Sequence, residues 1–254
     1  MSWLQKIGIR KTITPVSAAA YRPQPAQQAP PAWTYQKDGL LTWHLADFLH
    51  DPRFQRAYAA GKATRSWGEA DMEWRAYIVC WAAERALQLP GDFVECGVHR
   101  GGLARCIIEF LNFAVQPKRF YLLDTFCGFP PADRNRAADV HRQDYLDDCF
   151  ADVQETFRTF ANVQLIRGPI PETLEQVNSA QVCFLSIDMN CAEPEVAALA
   201  YFWPRLVSGA VVILDDYAYS EAYRRQKEAL DALVKPWGVS ILALPTGQGM
   251  LIKP

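Results

Sequence analysis

A series of short apolar runs, separated by helix-length segments, constrains the fold of this chain more than any other feature. Five such runs are rich in residues that favour β-strands, and they lie at residues 92–95, 119–124, 163–167, 182–188 and 210–215. Nearly continuous apolar runs are typical of parallel strands that are covered on both faces. Helices are predicted between them at 102–114, 147–160 and 194–203. The alternation therefore predicts an α/β fold with a mostly parallel sheet.

The end of the chain restricts the topology further. Two more strand-like runs, 239–244 and 249–252, follow a predicted helix at 223–235 and are separated only by residues 245–248. A parallel pair needs a crossover of about a dozen residues or more, so these two runs must form an antiparallel hairpin. Five parallel strands that end in such a hairpin are typical of the Rossmann-like sheet of class I methyltransferases and not of a dehydrogenase sheet.

Changes in composition divide the chain into three predicted regions. Residues 1–33 contain four basic residues, no acidic residue and a Pro/Ala/Gln-rich stretch, so we expect a flexible basic tail. Residues 34–89 show helical spacing, with Trp74 and Trp81 on one apolar face, and predict a helical cap. Its loop at 61–68 is a candidate mobile lid. Residues 90–254 are expected to form the main domain.

Charge and cysteine usage exclude several classes of protein. The net charge is −2, but the tail contributes +4, which leaves −6 on the rest of the chain. A mildly acidic body argues against nucleic acid as a partner, because phosphate binding needs a basic surface. Seven cysteines without zinc-type or paired spacing favour a reducing, cytoplasmic location. No apolar stretch approaches the roughly 20 residues of a membrane span, so we expect no transmembrane segment.

A glycine-rich turn, Glu-Cys-Gly-Val-His-Arg-Gly-Gly at 95–102, follows the first predicted strand. Its spacing differs from the G-x-G-x-x-G pattern of dinucleotide sites. An acidic residue that opens a glycine turn suits S-adenosylmethionine, whose ammonium group needs a carboxylate or a carbonyl. We therefore place Glu95, Gly97 and Gly101 in the cofactor site, with Asp124 after the next strand to accept the ribose hydroxyls. The alternative is that the glycines form a tight strand-to-helix turn and nothing more.

Acidic residues end two other predicted strands. Asp188 follows one strand, and Asp215 and Asp216 follow the next. Because the carboxyl ends of parallel strands share one edge of the sheet, these carboxylates would repel one another unless a cation lies between them. Oxygen ligands of this kind suit Mg²⁺. The alternative is that each aspartate caps the helix after it, which leaves the adjacent pair unexplained.

Four motifs in this order resemble the macrocin O-methyltransferase family, whose metal-dependent enzymes methylate sugar hydroxyls in macrolide and aminocoumarin pathways. They lie at 94–102, 123–130, 186–188 and 204–217, and the resemblance covers roughly residues 91–231. It implies a class I methyltransferase fold, S-adenosylmethionine as donor, Mg²⁺ and a homodimer. By position it assigns the metal to Asp188, Asp215 and Asp216, and the cofactor to Glu95, Gly97 and Asp124, with Thr125 and Phe126 beside the adenosine.

The chain departs from the family pattern at Asn190. The family usually has a second aspartate there, which is proposed to take the proton from the sugar hydroxyl. An amide cannot accept that proton, although it can orient a hydroxyl. Three explanations stay open: the metal alone lowers the pKa of the hydroxyl, another group such as His141 or Glu193 serves as the base, or the chain has lost activity.

These observations predict an S-adenosylmethionine- and Mg²⁺-dependent O-methyltransferase that acts on a hydroxyl of a sugar or glycosylated metabolite. Asp188 and Asn190 would lie at its catalytic centre. The polar stretch 133–148 is expected to cover the acceptor, and Tyr217 and Tyr219 either line the acceptor pocket or pack in the core. The alternative function is a cofactor-binding protein without methyl transfer, which Asn190 motivates. An NAD-linked oxidoreductase fits poorly with the glycine spacing and the terminal hairpin.

Overall fold

The computed structural model describes residues 32–131, 133, 137 and 147–254. Nearly all of the predicted tail, most of the predicted lid at 133–148 and the candidate base His141 therefore lie outside the described residues. No helix in the described part of the chain is long and apolar enough to cross a membrane.

The described chain begins with a small antiparallel hairpin. Its strands are β1 (Tyr35–Lys37) and β2 (Leu40–Thr42), and the turn between them has Asp38 at φ 50° and Gly39 at φ 72°. Two positive φ angles in a two-residue turn match the right-handed twist of a hairpin, and Asp-Gly favours that turn. The predicted helical cap at 34–89 therefore begins with a β-hairpin, which the helical spacing did not predict. The helices α1 (Pro52–Lys62) and α2 (Glu73–Leu87) follow it.

The central sheet has seven strands in the order β5-β4-β3-β6-β7-β9-β8. The strands β3 to β7 are parallel, whereas β9 runs antiparallel between β7 and β8. The α/β fold with a mostly parallel sheet and a C-terminal antiparallel hairpin is therefore confirmed. The strand bounds are β3 Asp92–Cys96, β4 Phe120–Asp124, β5 Val163–Arg167, β6 Val182–Ile187, β7 Leu206–Leu214, β8 Leu242–Ala243 and β9 Gly249–Ile252.

Helices cover both faces of this sheet, which explains why its central strands are apolar on both sides. All six residues of β6 are buried, and along β7 Val211 and Ile213 face one hydrophobic cluster while Val212 and Leu214 face the other. Successive strand residues point to opposite faces, so this alternation follows from the backbone alone. The first face carries α1, α2, α3 (Gly102–Leu111) and α4 (Phe150–Phe157), and the second carries α5 (Ala192–Phe202) and α6 (Arg224–Val234).

The orientation of α2 differs from the prediction. Trp81 is 43% exposed, and the buried side of the helix consists mainly of small residues that pack towards β6 and β7, among them Ala76, Ala83 and Ala86. Small side chains let the helix approach the sheet closely, whereas a tryptophan stripe would hold it away. The same buried side carries a charged residue, Arg75, which reaches the edge of the sheet where the candidate site lies.

Candidate active site

The glycine turn brings the ends of β3 and β6 into close contact. Gly97 has φ +86°, and a Cβ atom at this position would lie 1.8 Å from the backbone oxygen of Asp188. The amide of Asp188 in turn donates a hydrogen bond of 2.8 Å to the carbonyl of Cys96. A glycine is therefore required here both for the left-handed backbone and for the space. Gly101 has φ +83° and precedes α3, where it faces the ring of Phe157.

Asp124 holds this turn in place through its carboxylate. Its Oδ2 accepts hydrogen bonds from the amides of Val98 (2.6 Å) and His99 (2.8 Å), and its Oδ1 accepts one from Phe126 (2.6 Å). Three backbone donors occupy most of the acceptor positions of a carboxylate. The structure thus gives Asp124 a bracing role that sequence reasoning did not anticipate, and its contact with ribose hydroxyls stays a prediction.

Beside Asp124 lies a first cavity, with about 780 Å³ of space that is open to solvent. Of the predicted cofactor residues, Gly97, Asp124, Thr125 and Phe126 line it, whereas Glu95 and Gly101 do not. The loop after β6 forms another wall with residues 188–191. An open cavity at the carboxyl edge of parallel strands is typical of a nucleotide-type site.

A second cavity of about 1080 Å³ lies between α2, the N-terminal hairpin and the same edge of the sheet. Gly97, His99 and Asp188 line both cavities, so the two are adjacent. The second cavity also contains Trp67 and Tyr219, which offer aromatic surface next to a group of acidic side chains. The segment at 61–68 lies beside it, because Nδ1 of His99 is 2.9 Å from the carbonyl oxygen of Ser66.

Two buried polar atoms on the neighbouring strands β3 and β6 have no hydrogen-bond partner among the described residues. They are Oε2 of Glu95 and Oγ of Ser186, and these residues are register partners on the neighbouring strands β3 and β6. Burial, followed by repulsion from Asp215 and Asp124, raises the pKa of Glu95 well above its usual value. An unpaired acid here favours a cationic ligand. Sequence reasoning gave Ser186 no role, although a serine inside a buried apolar strand was a signal.

The structure brings Asp188, Asp215 and Asp216 together. Each offers an oxygen atom, and these atoms lie within 4.8 Å of one another. Asp215 and Asp216 are buried, while Asp188 is partly exposed towards the cavities. Burial and then the two neighbouring carboxylates raise the pKa of Asp188 well above its ordinary range. Three hard oxygen donors that repel one another fit a divalent cation such as Mg²⁺.

Arg75 of α2, which sequence reasoning missed, already contacts two of these acids. Its Nη1 donates to Oδ2 of Asp215 (2.5 Å) and to Oδ1 of Asp216 (3.1 Å), while its Nε donates to Oδ2 of Asp38 (2.7 Å). The guanidinium carbon also lies 4.6 Å from the centre of the Tyr219 ring. The signal for it was an arginine on the buried side of a predicted helix, but its partners could not be read from the sequence.

Asn190 lies beside the acids, but its surroundings differ from those expected of a catalytic base. It is buried, has φ +55° and lines the first cavity, and its Oδ1 has no hydrogen-bond partner among the described residues. Its Nδ2 is 3.4 Å from Oδ1 of Asp188. The candidate substitute Glu193 pairs with Arg225 near the surface and lines neither cavity.

A buried glutamate supports the loop that carries Asp188 and Asn190. Oε1 of Glu195, in the first turn of α5, accepts hydrogen bonds from the amide of Met189 (3.0 Å) and from Nε2 of Gln226 (3.0 Å). Burial raises the pKa of Glu195 to about 8. This residue was also missed, because a glutamate at a helix start is usually solvated.

The sequence left open whether Tyr217 and Tyr219 line the acceptor pocket or pack in the core, and the structure places them differently. The hydroxyl of Tyr217 contacts Asp231 and Lys227, and its ring belongs to the hydrophobic cluster on the α5–α6 face. Tyr219 lines the second cavity and donates a hydrogen bond of 3.0 Å to Asp38. Tyr217 is therefore a packing residue, and Tyr219 faces the candidate site.

The chain is similar to proteins of known family. A family model described as Macrocin-O-methyltransferase (TylF) matches residues 68–233. Mycinamicin III 3''-O-methyltransferase of Micromonospora griseorubida is 28% identical over 51% of this chain and 56% of the relative. Demethyldecarbamoylnovobiocin O-methyltransferase of Streptomyces niveus is 26% identical over 58% of this chain and 63% of the relative. The chain thus spans little more than half the length of the curated relatives it matches.

Solved structures show the same fold at lower identity. The O-methyltransferase NovP superposes with a TM-score of 0.62 at 22% identity, covering 78% of this chain and 88% of that one. CalS11, a calicheamicin methyltransferase, gives a TM-score of 0.58 at 17% identity, covering 79% of this chain and 93% of that one. The predicted class I methyltransferase fold is therefore confirmed.

Proposed function

The chain belongs to the macrocin-O-methyltransferase family, and from this premise we propose that it methylates a hydroxyl of a sugar or glycosylated metabolite. S-adenosylmethionine would be the donor and Mg²⁺ the metal. The observation that carries the proposal is the junction of the two cavities at Gly97 and Asp188, with three carboxylates beside it. A donor in the first cavity and an acceptor in the second would meet at this point, and methyl transfer depends mostly on such positioning.

The cofactor side of the proposal rests on Glu95 and the glycine turn. Glu95 lines the second cavity next to Gly97, where the two cavities meet, and has an unpaired buried oxygen that an ammonium group would satisfy. Gly97 lacks a Cβ atom, which lets the carbonyl of Asp188 approach and so brings the ends of β3 and β6 together at this point. Asp124 keeps the turn in position through its three backbone hydrogen bonds. Thr125 and Phe126 line the first cavity and are assigned to the adenosine.

The acceptor side rests on the acidic group. Asp188, Asp215 and Asp216 would hold the metal, and when bound, Mg²⁺ lowers the pKa of an acceptor hydroxyl while S-adenosylmethionine supplies the methyl group. Asn190 lines the first cavity beside Asp188, and its buried Oδ1 could accept a hydrogen bond from a hydroxyl that reaches the junction of the two cavities and so orient it. Asn190 cannot take the proton, so it acts as an orienting residue at the catalytic centre and not as its base.

Calorimetry with S-adenosylmethionine and with Mg²⁺ tests both halves of this proposal. Wild-type protein should bind each ligand, and Asp216→Asn should lose most of its Mg²⁺ affinity because a charged ligand is replaced by a neutral one. Asp152→Asn is the matched control, since Asp152 is a 76% exposed side chain on α4. Equal Mg²⁺ affinity in the two variants would show that the metal assignment is wrong.

A second candidate function is cofactor binding without methyl transfer, and Asn190 is the observation that favours it. The Asn190→Asp variant and the wild type should be compared for methyl transfer to a panel of neutral glycosides. Turnover by the wild type would eliminate this candidate. Turnover by the variant alone would support it, since the added carboxylate would be the missing proton acceptor.

The assembly and location of the protein complete the proposal. We expect a homodimer in the cytoplasm, as the family resemblance and the unpaired cysteines indicate. Light scattering coupled to size-exclusion chromatography measures the mass of the protein in solution, and a mass near 28.7 kDa, that of one chain, would contradict the homodimer.

A further inference from the structure

Arg75 is the cationic side chain of the second cavity. Among the described residues that line this cavity, it is the one lysine or arginine, and five acids line the cavity with it: Asp38, Glu95, Asp188, Asp215 and Asp216. It is 8% exposed, so its charge is held inside the protein and is compensated by the three carboxylates that it contacts, those of Asp38, Asp215 and Asp216. A single positive charge cannot compensate all of them, which leaves the group electrostatically suited to a further cation.

The contacts of Arg75 overlap with the proposed metal site. Its Nη1 lies 2.5 Å from Oδ2 of Asp215, and the other oxygen of Asp215 accepts a hydrogen bond of 2.8 Å from Nε2 of Gln248. Both oxygens of Asp215 therefore already have protein donors. A divalent ion bound to Oδ2 would lie a few ångströms from the guanidinium, where two positive charges repel strongly.

The other end of Arg75 is attached to the N-terminal hairpin. Its Nε and Nη2 donate to the two carboxylate oxygens of Asp38, at 2.7 and 3.2 Å, and Asp38 lies in the turn between β1 and β2. Tyr219 donates to the same carboxylate and lies under the guanidinium. Asp38 and Tyr219 thus provide a second binding position that Arg75 keeps if it leaves Asp215.

We propose that Arg75 is an internal cation which competes with a divalent ion for Asp215 and Asp216, and that metal binding displaces it towards Asp38. Arg75 would then set the affinity of the site for metal and connect metal binding to the hairpin and α2 that cover the second cavity. This inference rests on the proposed function only in taking Asp188, Asp215 and Asp216 as the metal ligands.

Calorimetric titration of Mg²⁺ into wild type and Arg75→Gln tests the competition. We expect the variant to bind Mg²⁺ about tenfold or more tightly, because the repulsion and the displacement are removed. Arg158→Gln is the matched control, since Arg158 is a 67% exposed side chain paired with Glu155. Binding in Arg75→Gln but not in wild type would support the proposal most strongly. Equal or weaker binding in Arg75→Gln would overturn it and leave the metal site intact.

Two further measurements keep the test valid if Arg75→Gln folds poorly. In wild-type protein, the side-chain Nε–H resonance of Arg75, identified by its loss in Arg75→Lys, should shift when Mg²⁺ is added. An unchanged resonance in protein that calorimetry shows to be metal-bound would overturn the proposal. The double variant Arg75→Gln/Asp216→Asn should bind Mg²⁺ far more weakly than Arg75→Gln. If neither wild type nor Arg75→Gln binds Mg²⁺, the metal assignment itself fails and this inference fails with it.

Discussion

The contact between Gly97 and Asp188 yields a quantitative prediction for Gly97→Ala. A Cβ atom would lie 1.8 Å from the oxygen and 2.5 Å from the carbon of the Asp188 carbonyl, so the loop after β6 must move by more than 1 Å to relieve the overlap. Overpacking of this kind costs about 1–3 kcal/mol. The left-handed backbone at φ +86° adds about 1–2 kcal/mol for a residue with a side chain. We therefore expect the free energy of unfolding to fall by about 2–5 kcal/mol.

Gly238→Ala separates the two contributions. Gly238 has φ +70°, and a Cβ atom there would meet nothing within 4 Å, so this variant should show the backbone cost alone, about 1–2 kcal/mol. Urea unfolding followed by tryptophan fluorescence measures both variants, and calorimetry with S-adenosylmethionine measures binding by the folded fraction. If Gly97→Ala loses no more stability than Gly238→Ala, the close contact between the two strand ends is not as described. Wild-type affinity for S-adenosylmethionine in Gly97→Ala would refute the role of this contact in shaping the site.

Three other residues give separate tests. The pKa of Glu195 is about 8 in the folded protein, whereas in the unfolded chain it has its ordinary value. At pH 4 the side chain is protonated in both states, so its ionisation does not affect stability. As the pH rises towards 8, ionisation favours the unfolded chain and stability falls. Between pH 5 and pH 8 the free energy of unfolding of the wild type should fall by up to about 4 kcal/mol through this residue, and Glu195→Gln should not show that part of the fall. Urea unfolding of both proteins at the two pH values measures this, and an equal fall in both would contradict it. In Asp124→Asn an amide replaces the carboxylate that accepts three backbone hydrogen bonds, so this variant should lose about 1–3 kcal/mol of stability and bind S-adenosylmethionine more weakly. The control Asp152→Asn should keep both the stability and the affinity of the wild type. Ser186→Ala removes an unpaired buried hydroxyl, so thermal unfolding of the ligand-free protein should be unchanged or stabilised by about 1 kcal/mol; a large loss would reveal a hidden partner.

The strands and the terminal hairpin could be predicted because their signals are local. Continuous apolar runs identify doubly covered strands, and the four residues between the two predicted C-terminal strands (245–248) are too few for a parallel crossover. The N-terminal hairpin had a local signal too, the Asp38-Gly39 turn, but the helical spacing of the aromatic residues obscured it. The exposed side of α2 was not predictable in this way. Which face a helix buries depends on the shape of the sheet surface that it meets, and there alanines fit where tryptophans do not.

For the candidate site, the residues at strand ends could be placed, whereas the contacts between distant segments could not. Asp188, Asp215 and Asp216 converge because the edge of a parallel sheet gathers the ends of its strands. Glu195 acquires its raised pKa from burial, which no local pattern reveals.

The sequence alone predicted the type of sheet, the sheet edge that carries the candidate site and the chemical nature of the oxygen donors there, and the family resemblance drew attention to Asn190. The first three follow from residue order and strand periodicity, which are local properties. Only the tertiary structure placed Arg75 on Asp215, 140 positions away along the chain, and attached the hairpin turn to the same guanidinium. It also showed that the carboxylate of Asp124 holds the glycine turn. Hydrogen bonds and ion pairs between distant segments depend on how the helices pack on the sheet. The charge balance of this site could therefore be determined only from the tertiary structure.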